Sequence, residues 1–463
     1  MSVDHFDMKC VSRFGIALAF LCAGTASADV ENEKAFPTAM GFGSTAVGWR
    51  SGKIIHVTNL NDAGPGSLRA CVSESDEPRV CVFDVSGTIF VDNAIFVRPN
   101  VYVAGQTAPG QGVQLRLREA QLTPLIVKNS HDVVLRFLKF RPGPSSRPAT
   151  NVSGLLIENS YRVIADHVSI QFATDQNFSV HFEQGSTHDV TLQNSIVSWG
   201  LDRANHKKGR HSKGALICSG VKTGGECGRV SVIQNIFAHN RDRNPDISGT
   251  DLGPIDIASN VFYNPITQFG EFYDRYASTT IRYVNNLAVF GPATKRKEAP
   301  IVETFNLTDH AVTVEAGRNM MLDNGSDKPR PANIKLAEGQ LRTVDGIADI
   351  AMPVPAERLV EYLSPRVGAG GRVGTVKDAL DEQLLASVRD RTGTVINGPD
   401  QVGGWPELPE LGAEPDSDQD GMPDQWEESR PGLDKTNGND AWADRDEDGW
   451  SNIEEYLSVL AGD

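Results

Sequence analysis

The sequence predicts an all-β solenoid with short helices towards its end and a small acidic tail. Three observations carry this prediction. Short β-branched runs separated by Gly, Asn, Asp and Pro fill most of the chain, with little helical periodicity before Pro355. The segments NSHDVVLRFLKF, NSYRVIADHVSI, GSTHDVTLQNSI, GRVSVIQNIFAH, IDIASNVFYN and IRYVNNLAVF share one rhythm: a polar turn, a β-branched strand, a polar residue and a second apolar run. Aligned on Asn194, Asn235, Asn260 and Asn286 they step by 41, 25 and 26 residues, and the long step holds an insertion from Trp199 to Gly225. A period near 25 is too short for a propeller blade and lacks the helices of helical repeats. It suits one solenoid coil, stacked on the next at roughly 4.8 Å so that like residues form ladders. The recurrent asparagines are then expected to hydrogen-bond along the stack.

Each element follows in order. Lys9 and Arg13, the apolar run Phe14 to Cys22 and Thr25-Ala26-Ser27-Ala28 read as a secretory signal over residues 1–28, cut after Ala28. No later apolar run is long enough to span a bilayer, so the mature chain is expected outside the cytoplasm, extracellular or periplasmic. Residues 29–350 hold the solenoid, with Gly64 to Arg69 as a turn into a helix. Cys71 with Cys81, and Cys218 with Cys227, are spaced to close two local disulfides, the favoured one of three possible pairings, with buried free thiols as the alternative. Within 351–409, ERLVEYL and VKDALDEQLLASVRDRTG have helical spacing and read as two helices covering a solenoid end or packing on its side. Residues 410–463 are acidic: 17 Asp and Glu against 3 Lys and Arg carry −14 of the net charge of −16. The body is therefore nearly neutral, which excludes the basic surface that nucleic-acid binding needs.

Three stretches carry chemistry. The tail repeats an EF-hand type loop, with Asp416, Asp418, Asp420, Gly421, Asp424 and Glu427 at positions 1, 3, 5, 6, 9 and 12. Asp444, Asp446, Asp448, Gly449, Asn452 and Glu455 repeat the pattern, the oxygen-rich spacing that Ca²⁺ requires. Such loops order a terminal module or dock it to another protein or cell surface. The stretch Ala238 to Ser248, A-H-N-R-D-R-N-P-D-I-S, leaves a buried strand and places Arg241 and Arg243 on a turn. One coil earlier the insertion brings His206, Lys207, Lys208, Arg210, His211 and Lys213, a basic patch suited to an acidic polysaccharide. Lys208, His206, His211 and Arg241 are the candidate substrate contacts. On the coils before it lie Asp166 and Asp175, Asp175 on a loop as the better metal ligand and Asp166 equally readable as a turn cap.

GFGSTAVGWRSGKIIHVTNLNDAGPGSLRACV, VAGQTAPGQGV, ADHVSIQFATDQ, HKKGRHSKG and HNRDRNPDI, in this order, resemble the pectate lyases of polysaccharide lyase family 1. The resemblance runs from about Phe36 to Gly404, and the calcium loops look like a C-terminal thrombospondin type 3-like module often appended in that family. It implies a right-handed parallel β-helix that cleaves de-esterified polygalacturonate by β-elimination with Ca²⁺. The family motif Arg-x-Pro-x-x-Arg gives Arg243 the role of the base that abstracts the C5 proton, while Ser248 stands where the second arginine falls. Asp175 matches a family calcium ligand by position; Asn159 and Ser179 replace carboxylates, so Asp175, Asp166 and Asn159 form the expected β-helix metal site. Lys208 maps onto the family's substrate-binding lysine. A non-catalytic β-helix that binds acidic polysaccharide is the alternative reading. A hydrolase would want paired carboxylates, and no clear pair is visible.

Overall fold

The computed structural model describes residues 34–118, 122–144, 148, 152–220, 224–296, 300–337, 340–370 and 377–463. The expected signal over 1–28 lies outside the described residues. Three long parallel sheets run the length of a right-handed β-helix, with 12, 10 and 9 strands among the described residues. The first begins at Lys53–Val57 and ends at Gln340–Thr343, within the predicted solenoid limits. One coil shows the logic: Val230–Ile233 in the first sheet, Ile236–Ala238 in the second, then Asp246–Ile247 in the third. The next coil repeats it with Ile255–Ala258, Val261–Tyr263 and Gly270–Tyr273.

Register stacks like on like. Val190, Val230, Ile255 and Ile281 pair in sequence along the first sheet, as do Leu192, Val232, Ile257 and Tyr283, all fully buried. Each such side chain contributes roughly 1.5–3 kcal/mol on burial, which is why period-two strands settle in this register and not one residue along. A single left-handed residue turns the chain from first to second sheet in coil after coil: His167, Asn194, Gln234, Ser259, Asn285 and Arg318, with φ between 48 and 57°. The next residue forms the ladder. Asn260 Oδ1 accepts from the N–H and Nδ2 of Asn235, Asn286 Oδ1 from those of Asn260, and Asn319 Oδ1 from those of Asn286, at 2.9–3.1 Å.

The predicted ladder is one residue out at its first rung. Ile196 pairs with Ile236, so Ser195, not Asn194, stacks on Asn235, whose Oδ1 accepts the Ser195 N–H at 2.8 Å. Asn194 is the left-handed turn residue instead, its amide donating to Asp166 at 3.1 Å. Asn319 extends the ladder at the far end.

Both disulfides close locally, Cys71–Cys81 and Cys218–Cys227. The first ties helix Leu68–Ser73 to strand Arg79–Phe83, and Leu68, Cys71 and Val72 from that helix cover the N-terminal end of the core. The two predicted helices form at Leu359–Leu363 and Ala379–Arg389. They pack on the outside of the second sheet, where Leu363, Leu380, Leu384 and Val388 meet Trp199, Ile236, Val261 and Tyr263. Arg141, fully buried, bonds Asp378 and Asp381 of this segment and locks it down.

The acidic tail also lies on the solenoid. Met422, Ala441, Ile453, Tyr456 and Leu457 pack with Val80, Val82, Tyr102 and Trp49 over the outer face of the first sheet. Trp442 Nε1 donates to the Gly52 carbonyl at 3.0 Å, and Arg50 meets Glu454 at 2.6 Å. One face of the tail is thus spent on its own chain. Among the described residues no helix is long and apolar enough to cross a membrane.

Candidate active site and metal-ligating loops

A groove of about 450 Å³ opens on the outer face of the third sheet. Its floor comes from successive coils in register: Leu156, Ser179, Leu216 and Asp246 form one row, with Glu158, His181 and Ser219 beside it. Side chains alternate across a strand, so this row faces the groove while its neighbours Leu155, Phe178, Ala215 and Ile247 fill the core. The turn after Ile236–Ala238 delivers Arg243, with φ 59°, to this groove, and the insertion loop delivers Lys208 and His211. Asp175, Glu158, Ser248, Tyr273 and Arg275 complete the lining on which the chemistry depends.

Arg243 is a quarter exposed, and its Nε lies 3.1 Å from Asp246 Oδ2. Asp246 is 6% exposed and its Oδ1 meets no donor. Burial pushes its carboxyl well above the usual range, against the pull of Arg243. Asp175 shows the reverse. Burial opposes its ionisation, but His211, whose Nε2 is 2.6 Å from Oδ1, outweighs that and holds the carboxyl below its ordinary value.

The structure separates the sequence-derived candidates. His206 stacks face to face beneath His211, centroids 3.7 Å apart, and its Nδ1 accepts the Lys208 N–H at 3.1 Å. His206 is therefore the support of the Lys208 arm; it does not line the groove. Burial lowers its pKa, and the neighbouring His211 adds to that. Arg241 points away as well: Nη1 sits 3.2 Å from Asp202 Oδ1 in a largely buried pair that braces the insertion loop. Lys213 is bound to Asp242 at 2.5 Å.

Two of the three expected β-helix metal ligands fall elsewhere. Asp166 is sealed, with Oδ2 bonded to Arg136 Nε at 2.7 Å and His167 Nδ1 at 2.8 Å, and Oδ1 to Gln193 and Asn194. Asn159 turns its Oδ1 to the Glu183 N–H at 3.0 Å. Asp175 remains, and the ligand atoms within 4.8 Å of its own are imidazole nitrogens of His206 and His211. Ca²⁺ wants about six to eight oxygens, and this donor set does not fit it.

The tail loops do fit. Oxygens of Asp416, Asp418 and Asp420 lie within 4.8 Å of one another, as do those of Asp420, Glu427 and Asp440, and those of Asp444, Asp446 and Asp448. Asp418, Asp420, Glu427 and Asp440 hold buried oxygens that no protein donor meets. Burial, reinforced by the neighbouring carboxylates, pushes Asp420 to about 7 and Glu427 to about 8. Such a cluster has the donor chemistry that a hard cation suits. Asp424 is the exception, its carboxylate accepting from the N–H and Oγ of Ser417 at 2.8 Å, and Asp440 from between the loops joins in its place. In the second loop Asn452 and Glu455 each keep one buried oxygen without a partner.

A larger cavity, about 880 Å³, lies between tail and first sheet beside His56, Asp84, Trp426 and Tyr456, and none of the groove cations reaches it. Sequence reasoning missed Asp246, Tyr273 and Arg275. A usable signal existed: one coil step of 25 residues carries Asp246 to Glu271 and Ser248 to Tyr273.

A right-handed parallel β-helix with an arginine-bearing groove on one sheet is the class that fold and site define. Comparisons place it further. A probable pectate lyase C of Aspergillus terreus is 31% identical over 429 residues, 90% of this chain and 91% of that one. A probable pectate lyase C of Emericella nidulans is 30% identical over 425 residues, covering 89% and 88%. The cedar pollen allergen Jun a 1 shares the fold, with a TM-score of 0.51 at 15% identity over 71% of this chain and 92% of that one. No family model matches the chain. The chain belongs to the pectate lyase family, and so to the polysaccharide lyases.

Proposed function

We propose that the protein is an exported pectate lyase that cleaves de-esterified polygalacturonate by β-elimination, with Arg243 as base. The carrying observation is Arg243 itself, held in an open groove at left-handed φ beside a carboxyl that burial drives towards its neutral form. In the reaction the C5–H bond breaks, its electron pair forms the C4=C5 double bond, and O4 leaves with the glycosidic pair. A base must be neutral, and a guanidine is normally charged. Lys208 lines the same groove, and the carboxyl beside Arg243, Asp246, is the one that burial drives towards its neutral form. Negative charge growing on the C5 carboxylate is met by Lys208 and His211.

Calcium belongs in this reading to the tail. Asp416, Asp418, Asp420, Glu427 and Asp440 would hold one ion, and Asp444, Asp446, Asp448 and Glu455 a second. There the ion supplies a cross-link for the loops, and the exposed second loop is the face left for an outside partner. Two disulfides support export to an oxidising compartment. The test is ultraviolet absorbance of the 4,5-unsaturated product from polygalacturonate. Arg243→Ala is expected to lose ~10²- to 10⁴-fold in rate, the usual worth of an acid–base group. Full activity in that variant removes Arg243 from the mechanism. Chelator is expected to speed proteolysis within 410–463, and unchanged cleavage there removes calcium from the tail.

A further inference from the structure

We propose that Arg275 binds a substrate carboxylate, delivering from the neighbouring coil the positive charge that Ser248 does not carry. The inference rests on the uronate-polymer reading above and names the residue that selects the acid form.

Pairing of Asp246 with Glu271 and of Ile247 with Phe272, continued by one residue, sets Ser248 beside Tyr273. Both line the groove with Arg243, and Arg275 follows two residues on. Ser248 is buried and neutral, its N–H donating to the Ile217 carbonyl at 3.1 Å, so its position offers an anion nothing stronger than a hydroxyl.

Arg275 stands on a fixed platform. Asp274, just before it, is fully buried, and its carboxylate accepts from the Thr308 N–H and Oγ1, both at 3.0 Å. Tyr276, just after it, donates its hydroxyl to the Gly220 carbonyl at 2.7 Å and accepts the Gly220 N–H at 2.9 Å. The Arg275 guanidinium lies 5.7 Å from the Tyr273 ring centroid, and Tyr273 is itself tied to Glu271 at 2.5 Å. Backbone and flanking rings are thus rigid, while the side chain is exposed.

Among the described residues, Arg275 forms no ion pair with a carboxylate. The arginines around it are committed: Arg241 to Asp202, Arg243 to Asp246, Arg282 to Asp256. A planar fork of N–H donors without a carboxylate, on a rigid wall of an anion-binding groove, has the geometry to bind one bidentately. A methyl ester removes the charge and half the acceptor capacity. Arg275 therefore discriminates the free acid from its ester.

The experiment compares wild type, Arg275→Gln, Arg275→Lys and the double variant Arg275→Gln/Ser248→Arg on polygalacturonate and on highly methyl-esterified galacturonan, reading kcat and KM separately. Arg275→Gln is expected to raise KM on polygalacturonate ~10- to 100-fold, the cost of losing a bidentate charged pair, with kcat within about threefold and the esterified polymer unaffected. Lysine is expected to restore part of the affinity, and an arginine at 248 part of it in the double variant. An unchanged KM, or an equal loss on both polymers, overturns the proposal. Should wild type form no unsaturated product, calorimetry with trigalacturonate still decides. Weaker binding by Arg275→Gln upholds the assignment while the lyase reading fails, and equal or absent binding overturns the assignment.

Discussion

Two arginine–aspartate pairs on this solenoid have opposite character. Arg136 and Asp166 are both fully buried, and every oxygen of Asp166 is bonded. Arg136 is met in addition by Asp463 and the Tyr102 hydroxyl. Arg243 and Asp246 share one contact at 3.1 Å, leave an Asp246 oxygen unmet and open onto the groove. The first pair is a finished network that staples the tail to the first sheet. The second is an unfinished one whose remaining valences face the groove, and that incompleteness supports the role proposed for Arg243.

Exchanging the same substitution between the pairs is the largest test of this contrast. Arg136→Met is expected to cost ~3–5 kcal/mol of stability, because Asp166 is left as an uncompensated buried charge. Activity per folded molecule stays near wild type. Arg243→Met is expected to leave the melting temperature within a few degrees and to abolish product. Denaturant melts and the absorbance assay, run on both, separate the two outcomes. Matching losses of stability in both variants would erase the distinction.

Acid should find the same difference. Burial disfavours the Asp166 charge, but His167 and Arg136 overcome it and hold the carboxyl far below its ordinary value. A depressed folded pKa gives stability that is present above the unfolded value of about 3.9 and is lost as pH falls towards the folded one. Asp166→Asn is therefore expected to be destabilised at pH 7 and to approach wild type below about pH 3.

The legibility of the chain divides along similar lines. The coils were readable because burial imposes one period on six segments at once. The ladder slipped by a residue at Asn194, since an asparagine in a left-handed turn and an asparagine in a stack look alike in sequence and only the Ile196–Ile236 register separates them. The motif put Arg243 on a turn, and the fold brings that turn to the groove. The loop marked Asp175 as the better ligand, but only the fold shows that, nine residues apart, Asp166 ends a first-sheet strand under the tail and Asp175 enters the third sheet at the groove. Arg275 lies 32 residues past Arg243 with no motif of its own, so only the coil register brings it in. The tail's acidity announced a separate module, while Met422, Ile453 and Leu457, few and scattered, decide where it packs.

The smallest expected effect is also the most discriminating in sign. Burial pushes Asp246 above the ordinary range, with Arg243 opposing and Glu271 and Asp242 adding to the rise. A raised folded pKa means stability that is complete below the unfolded value and lost as pH climbs through the folded one. At pH 8 the wild-type chain thus carries the cost of the raised pKa, and an amide at that position does not. Asp246→Asn is expected to melt within about 1 kcal/mol of wild type at pH 5 and at or above it at pH 8, opposite to Asp166→Asn. Its carboxamide oxygen can still accept from Arg243 Nε, so the arginine keeps its place. Melting temperatures of the two asparagine variants across pH 4 to 8 check this, and a loss at pH 8 as large as that of Asp166→Asn would show that the Arg243 pair is as structural as its closed counterpart.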